Sequence, residues 1–192
     1  MPGRRNESET GTGPPPLGKA PRLGSKRTRK SALSGANPCR NSDNCVRACH
    51  AWAMRKLGYN VVAAPGVYNP KPITGFKSAA MQSTVHWRRG GASPTWHENI
   101  RPCRDPDKVI EHMKLVTTSS DYGFIRFTSV YGGSHMMGWE NRGGDVFLVD
   151  PQTGTEESRG YFSATPDSIR WTTISGFNPT EQVLNIIYGK EK

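Results

Sequence analysis

The chain has 192 residues, a formal net charge of +10 and 34% apolar residues. That length holds one domain with a real core and excludes two large ones. No apolar run approaches the ~18 residues of a membrane-spanning helix, and the N-terminus lacks the apolar stretch of a conventional signal peptide.

The apolar share is below the usual globular level, so part of the length is expected to lie outside the core. Residues 1–36 supply that part. The first 38 residues carry Arg4, Arg5, Lys19, Arg22, Lys26, Arg27, Arg29 and Lys30 against Glu7 and Glu9, a net of +6. With Pro14-Pro15-Pro16 and repeated Gly and Ser, such a segment cannot bury enough surface to offset its ordering entropy. It reads as a disordered basic leader or linker over 1–36, ahead of a domain over 37–192. The remaining chain has 18 Lys/Arg and 14 Asp/Glu, only mildly basic at +4. The Lys26-Arg27-Thr28-Arg29-Lys30 cluster has the charge to contact nucleic acid. With no aromatic residues between the charges, a solvated tail or delivery linker is the preferred reading.

Asn37 to Asn44 is a polar, irregular entry segment. A helical pattern then runs from Cys45 to Leu57, with Asp43 or Asn44 as N-cap and Gly58 as stop after basic Arg55 and Lys56. Cys45, Cys49, Ala53 and Leu57 recur every four residues as an inward stripe. Tyr59 to Ala64 reads as a short strand, and 65–104 as irregular, with Trp87 and Trp96 as anchors. Asp105-Pro106-Asp107 opens a second helix, with Val109, Ile110 and Met113 on its apolar face. Tyr122 to Val130 alternates as a strand. Residues 134–140 and 145–150 form a hairpin around Asn141-Arg142-Gly143-Gly144, and strands follow over 169–174 and 183–188. Helix first and antiparallel sheet later give an α+β domain.

A tight reversal that pairs 140 with 145 also pairs 135 with 150. Directly opposed residues share a face, so His135 and Asp150 are expected side by side, with Cβ atoms roughly 5 Å apart. A histidine oriented by a carboxylate is half of a nucleophilic site. Cys45 is the candidate for the other half, because a thiolate at a helix start meets unpaired N–H groups and the positive end of the dipole. The backbone N–H of Cys45 is an expected oxyanion donor, with Asn41 or Asn44 as a second. Gln152 is read as a turn residue bonding nearby backbone, and Cys49 as core.

Asn44-Cys45 with its helix ending in Arg55-Lys56-Leu57-Gly58-Tyr59, then Gly133-Ser134-His135, then Val149-Asp150-Pro151-Gln152-Thr153-Gly154 resemble the papain-fold toxin domains of bacterial polymorphic toxins, the toxin glutamine deamidases. The family strand usually reads Gly-His, where this chain has Ser134 between the two. The resemblance covers about residues 37–188. It implies a papain-like fold, with a nucleophile helix packed on an antiparallel sheet. Cys45 would be the nucleophile, His135 the general base and Asp150 its orienting acid, with no cofactor. The implied reaction is deamidation of a glutamine side chain in a target-cell protein, or proteolysis by the same residues. The implied setting is interbacterial competition: a warhead on a larger secreted or phage-borne carrier, active in the target-cell cytoplasm and neutralised by a cognate immunity protein.

A zinc module is the competing class. Cys39, Cys45, Cys49 and His50, or Cys103, supply enough ligands, although their spacing is not that of a usual zinc knuckle. Four cysteines allow three disulfide connectivities, and their low density favours reduced thiols.

Overall fold

The computed structural model describes residues 16–22, 29–74, 76, 78–98, 106–157, 164–165 and 168–190. Residues 1–15 and 23–28 of the expected leader, Cys103 and the Asp105 cap lie outside them. The helices are α1 (Arg29–Ser34), α2 (Cys45–Lys56), α3 (Ala79–Ser83), α4 (Pro106–Val116) and α5 (Glu181–Tyr188). The strands are β1 (Trp87–Arg88), β2 (Trp96–Glu98), β3 (Tyr122–Thr128), β4 (Ser134–Arg142), β5 (Asp145–Asp150), β6 (Thr155–Glu157), β7 (Arg170–Thr173) and β8 (Asn178–Pro179). Six of them form one antiparallel sheet in the order β2-β7-β3-β4-β5-β6, and β1 pairs with β8 apart from it. The architecture is α+β. Among the described residues, no helix is long and apolar enough to cross a membrane.

Strand alternation divides the core into two layers. Phe124, Met136 and Val149 pack with the helices α1, α2 and α5, whereas Ile125, Phe127, Met137, Trp139 and Leu148 pack with Val109, Ile110 and Met113 of α4. Helix α2 is the centre of the first layer. Every residue from Val46 to Arg55 is buried, so the helix is enclosed all round rather than along the expected stripe. Its two buried arginines hold neighbouring chain in place. Arg47 donates to the carbonyls of Pro65 and Val67, and Arg55 to Val61, Asn60 and Ser31.

Helix α2 descends along β4 in regular steps. Lys56 Nζ bonds Glu140 at 2.9 Å, Trp52 lies over Gly138, and Cys49 Sγ donates to the Met136 carbonyl at 3.3 Å. A Cβ on Gly138 would lie 2.7 Å from both the Trp52 ring and a Val149 methyl, so only glycine permits this approach.

Three expectations are corrected. Residues 29–36 are not a leader: they form α1 and its exit, and Ala32, Leu33 and Ala36 are buried in the main core. Small apolar residues at this spacing fit beneath α2 despite the basic residues around them. Ala20 is buried as well, and Arg22 stacks over Tyr59. Residues 59–64 do not join a sheet. Tyr59 bridges Arg22, while the N–H groups of Ala63 and Ala64 bond the Ala36 and Ile187 carbonyls. Their partners are helix ends rather than a neighbouring strand, so no ladder forms. Residues 183–188 are helical. Val183, Leu184, Ile186 and Ile187 are buried at a 3.6-residue spacing, and Gly189 closes the helix at φ 66°. Within 65–104, Trp87 is buried and Trp96 packs on the core, as expected, with the short helix α3 and strands β1 and β2 between and around them.

Candidate active site

The hairpin turns more tightly than expected. Gly143 and Gly144, at φ 65° and 98°, form a two-residue reversal, and β4 continues to Arg142, which pairs with Asp145. Glu140 therefore faces Phe147 and not Asp145, a slip of two residues from the expected register. A slip of two preserves faces, whereas a slip of one would invert them. His135 and Asp150 consequently meet on a diagonal, with His135 Nε2 donating to Asp150 Oδ2 at 3.1 Å.

Asp150 is fully buried, and its second oxygen accepts the Gln152 N–H at 2.8 Å. Both carboxylate oxygens are thus held. The following chain closes a turn in which the Gly154 N–H bonds the Asp150 carbonyl. His135 keeps a small opening to solvent, its side chain 16% exposed, and packs edge-on against Phe127.

Cys45 is the first residue of α2 and is half-buried. It hydrogen-bonds the His135 ring. With Nε2 committed to Asp150, Nδ1 is the nitrogen left for the thiol. The site lies at the end of the sheet, where the start of α2 passes the first residues of β4. Burial would lower the His135 pKa, but the hydrogen bonds and charges of Asp150 and Cys45 outweigh it and raise the value from 6.5 to about 9. The ring is therefore an imidazolium at neutral pH.

Asn44 occupies the N-cap position, yet its side chain makes no capping bond. Its amide nitrogen donates to Asn37 Oδ1 at 3.2 Å and to the Ala64 carbonyl at 2.9 Å, which commits it to structure rather than to an oxyanion. The first-turn N–H groups of α2 consequently have no side-chain acceptor from the cap, an arrangement suited to receiving a developing negative charge. Asn41 Nδ2 lies 3.4 Å from the same Asn37 oxygen. Gln152 is a turn residue, as expected, and its carbonyl accepts from Asn37 Nδ2 at 2.7 Å.

Asn37 is the residue that the sequence did not single out. It is buried, and it joins the entry to α2 with the turn that follows Asp150. The nucleophile helix and the orienting acid share this one amide. Nothing in its local sequence distinguishes it from the other polar residues of the entry segment.

Cys49, one turn below Cys45, is a core residue. Burial, followed by the nearby Cys45 and Asp150, pushes its thiol well above the usual range. His50 points away from any zinc arrangement, because both ring nitrogens are taken. Trp87 Nε1 donates to Nδ1 at 2.9 Å, and Nε2 lies 2.7 Å from Ser83 Oγ. Burial holds its pKa down at about 3. Cys39 is exposed, and the described cysteines Cys39, Cys45 and Cys49 are all free thiols. Among the described residues, no group of three or more His, Cys, Asp or Glu side chains could hold a metal ion.

No family model, curated protein or solved structure matches this chain. The chemistry of the site is read from its own atoms. A thiol on a helix start, an imidazolium bonded to it and a buried carboxylate behind the ring form a nucleophile, an acid–base group and an orienting group.

Proposed function

We propose that this protein is a cysteine hydrolase of the papain-like kind that deamidates a glutamine side chain of a target-cell protein. One observation carries the reading: a fully buried carboxylate fixes His135 through Nε2, while Cys45, 90 positions earlier in the chain, bonds the same ring. Packing alone has no need for a buried acid, a charged ring and a half-buried thiol in line.

In the proposed reaction, the Cys45 thiolate attacks the carbonyl carbon of the side-chain amide. The oxyanion is received by the backbone N–H groups at the start of α2. The His135 imidazolium gives its proton to the leaving nitrogen, ammonia departs and a thioester remains. A water molecule, losing a proton to His135, then attacks the thioester. The C–S bond breaks with its electron pair on sulfur, which releases glutamate and restores the thiolate–imidazolium pair. Asp150 stays ionised throughout and holds the ring for both proton transfers. In the same proposal, a cognate immunity protein neutralises the activity in the producing cell.

The test is expression of the parent chain, Cys45→Ala and His135→Ala in bacterial cells. Growth inhibition by the parent and not by either variant is the expected result. Equal toxicity of all three would overturn the proposal. Mass spectrometry of the affected target then distinguishes glutamine converted to glutamate from a cleaved chain, the outcome of the protease alternative.

A further inference from the structure

We propose that Arg126, backed by Arg170, forms a carboxylate-binding subsite beside Cys45 that takes an acidic group of the protein substrate. The two arginines are directly opposed partners on β3 and β7, so two like charges share one face at roughly 5 Å between Cβ atoms. Each is only 9% exposed. Buried charges are ordinarily paired, and two adjacent cations need a counter-charge. Glu98 Oε1 lies 3.1 Å from Arg170 Nε. For Arg126, the partners among the described residues are neutral: Nη2 donates to Thr128 Oγ1 at 3.3 Å and to Ser134 Oγ at 3.2 Å, and the buried Nε has no partner. Burial and the neighbouring Arg170 charge both press on the Arg126 cation. A carboxylate would relieve that pressure and complete the planar fork of donors.

The position follows from the descent of α2 along β4. Lys56 meets Glu140, Trp52 meets Gly138 and Cys49 meets the Met136 carbonyl. The next step of about four residues brings Cys45 down at Ser134 and His135. Arg126 is the cross-strand partner of Met136, and its guanidinium bonds Ser134, the residue before His135. Of the two hydroxyls that Arg126 bonds, Ser134 is exposed and Thr128 half-buried, so the guanidinium lies just beneath the surface. A substrate amide on Cys45 would thus carry its neighbouring residues past these two guanidinium groups.

The purpose assigned to the subsite rests on the hydrolase reading, but its test requires only the thiol. Three alkylating probes are applied to the intact protein: iodoacetyl-glutamic acid amide, iodoacetyl-glutamine amide and iodoacetyl-glutamine free acid. The first differs from the second by one side-chain carboxylate, and the third by a terminal one. Rates at Cys45 are read by peptide mapping and divided by the rates with N-acetylcysteine amide in solution.

The expected result is a roughly five- to tenfold advantage of at least one acidic probe over the neutral probe, the scale of one net hydrogen bond. Which acidic probe gains tells a side-chain acid from a chain terminus. Arg126→Gln should remove the advantage while leaving the neutral rate near the parent's, and Arg126→Lys should restore part of it. If the parent shows no advantage at Cys45, or if Arg126→Gln retains it, the subsite is disproved. Should Arg126→Gln fail to fold, the parent ratio and Arg126→Lys decide. Failure of the hydrolase reading shows separately, as toxicity that survives Cys45→Ala.

Discussion

Within the candidate triad, Asp150 sets the state of the other two members. Its carboxylate is fully buried and bonded on both oxygens, so Asp150→Asn preserves shape while removing the charge that keeps His135 protonated. The turnover of that variant should fall by roughly 10²- to 10⁴-fold, with the His135 pKa moving back down from about 9, as read by NMR titration of the ring. The raised value also bears on stability. The folded state binds the His135 proton more tightly than the unfolded chain, whose value is near 6.5. This contribution is full below pH 6.5 and is lost as pH rises through about 9. Urea midpoints of the parent should decline over that window, and those of Asp150→Asn should decline less. His50 runs the other way. Buried neutral at about 3, it contributes stability above 6.5 that is lost as pH falls through the folded value. Replacing His50 by Gln should therefore flatten the acid limb of the same curve. A limb unchanged by that substitution would assign acid unfolding to other groups.

The joint between α2 and the sheet decides whether the site exists. Gly138→Ala places a methyl group against Trp52 and Val149, which are held on both sides. Overpacking of this kind costs about 1–3 kcal/mol, and it should lift α2 from β4 and separate Cys45 from His135. Thermal denaturation and turnover should fall together; a variant that lost neither would show the joint to be loose. The boundaries of α2, the start of α4 and the presence of the hairpin are legible in the sequence, because caps, glycine stops and alternation are local signals. So is the His135–Asp150 encounter. Helix α5 is not, since Val183, Leu184, Ile186 and Ile187 fit both a buried strand and an amphipathic helix, and the tertiary partner selects between them. Asn37 is invisible for another reason. Its partner Gln152 lies 115 positions away, and no local pattern encodes a contact at that range.

At the scale of the whole molecule, the N-terminal segment belongs in part to the fold. Leu33, Ala32 and Ala36 lie in the core around α2, and the Ala36 carbonyl receives the Ala63 N–H. A chain beginning at residue 37 loses these contacts, and the burial of Leu33 alone is worth about 1.5–3 kcal/mol. Such a chain should melt below one beginning at residue 16, and equal melting temperatures would contradict this packing. Basic composition hid the segment, because the charges outnumber the few small apolar residues that dock. The hairpin, finally, spans the molecule from the candidate site to the Gly143–Gly144 reversal. The number of residues in that reversal decides which side chains of β5 face those of β4. Turn length is therefore a control over protonation at the far end of the strands. An insertion of two residues can be absorbed as a slip that still leaves an acid beside His135. A single glycine inserted between Gly143 and Gly144 cannot, unless a strand bulges. That one-residue change, made at the far end of the hairpin from the candidate site, should return the histidine to ordinary titration and silence the thiol, and it should loosen the packing of β5, whose Val149 and Leu148 would exchange core layers.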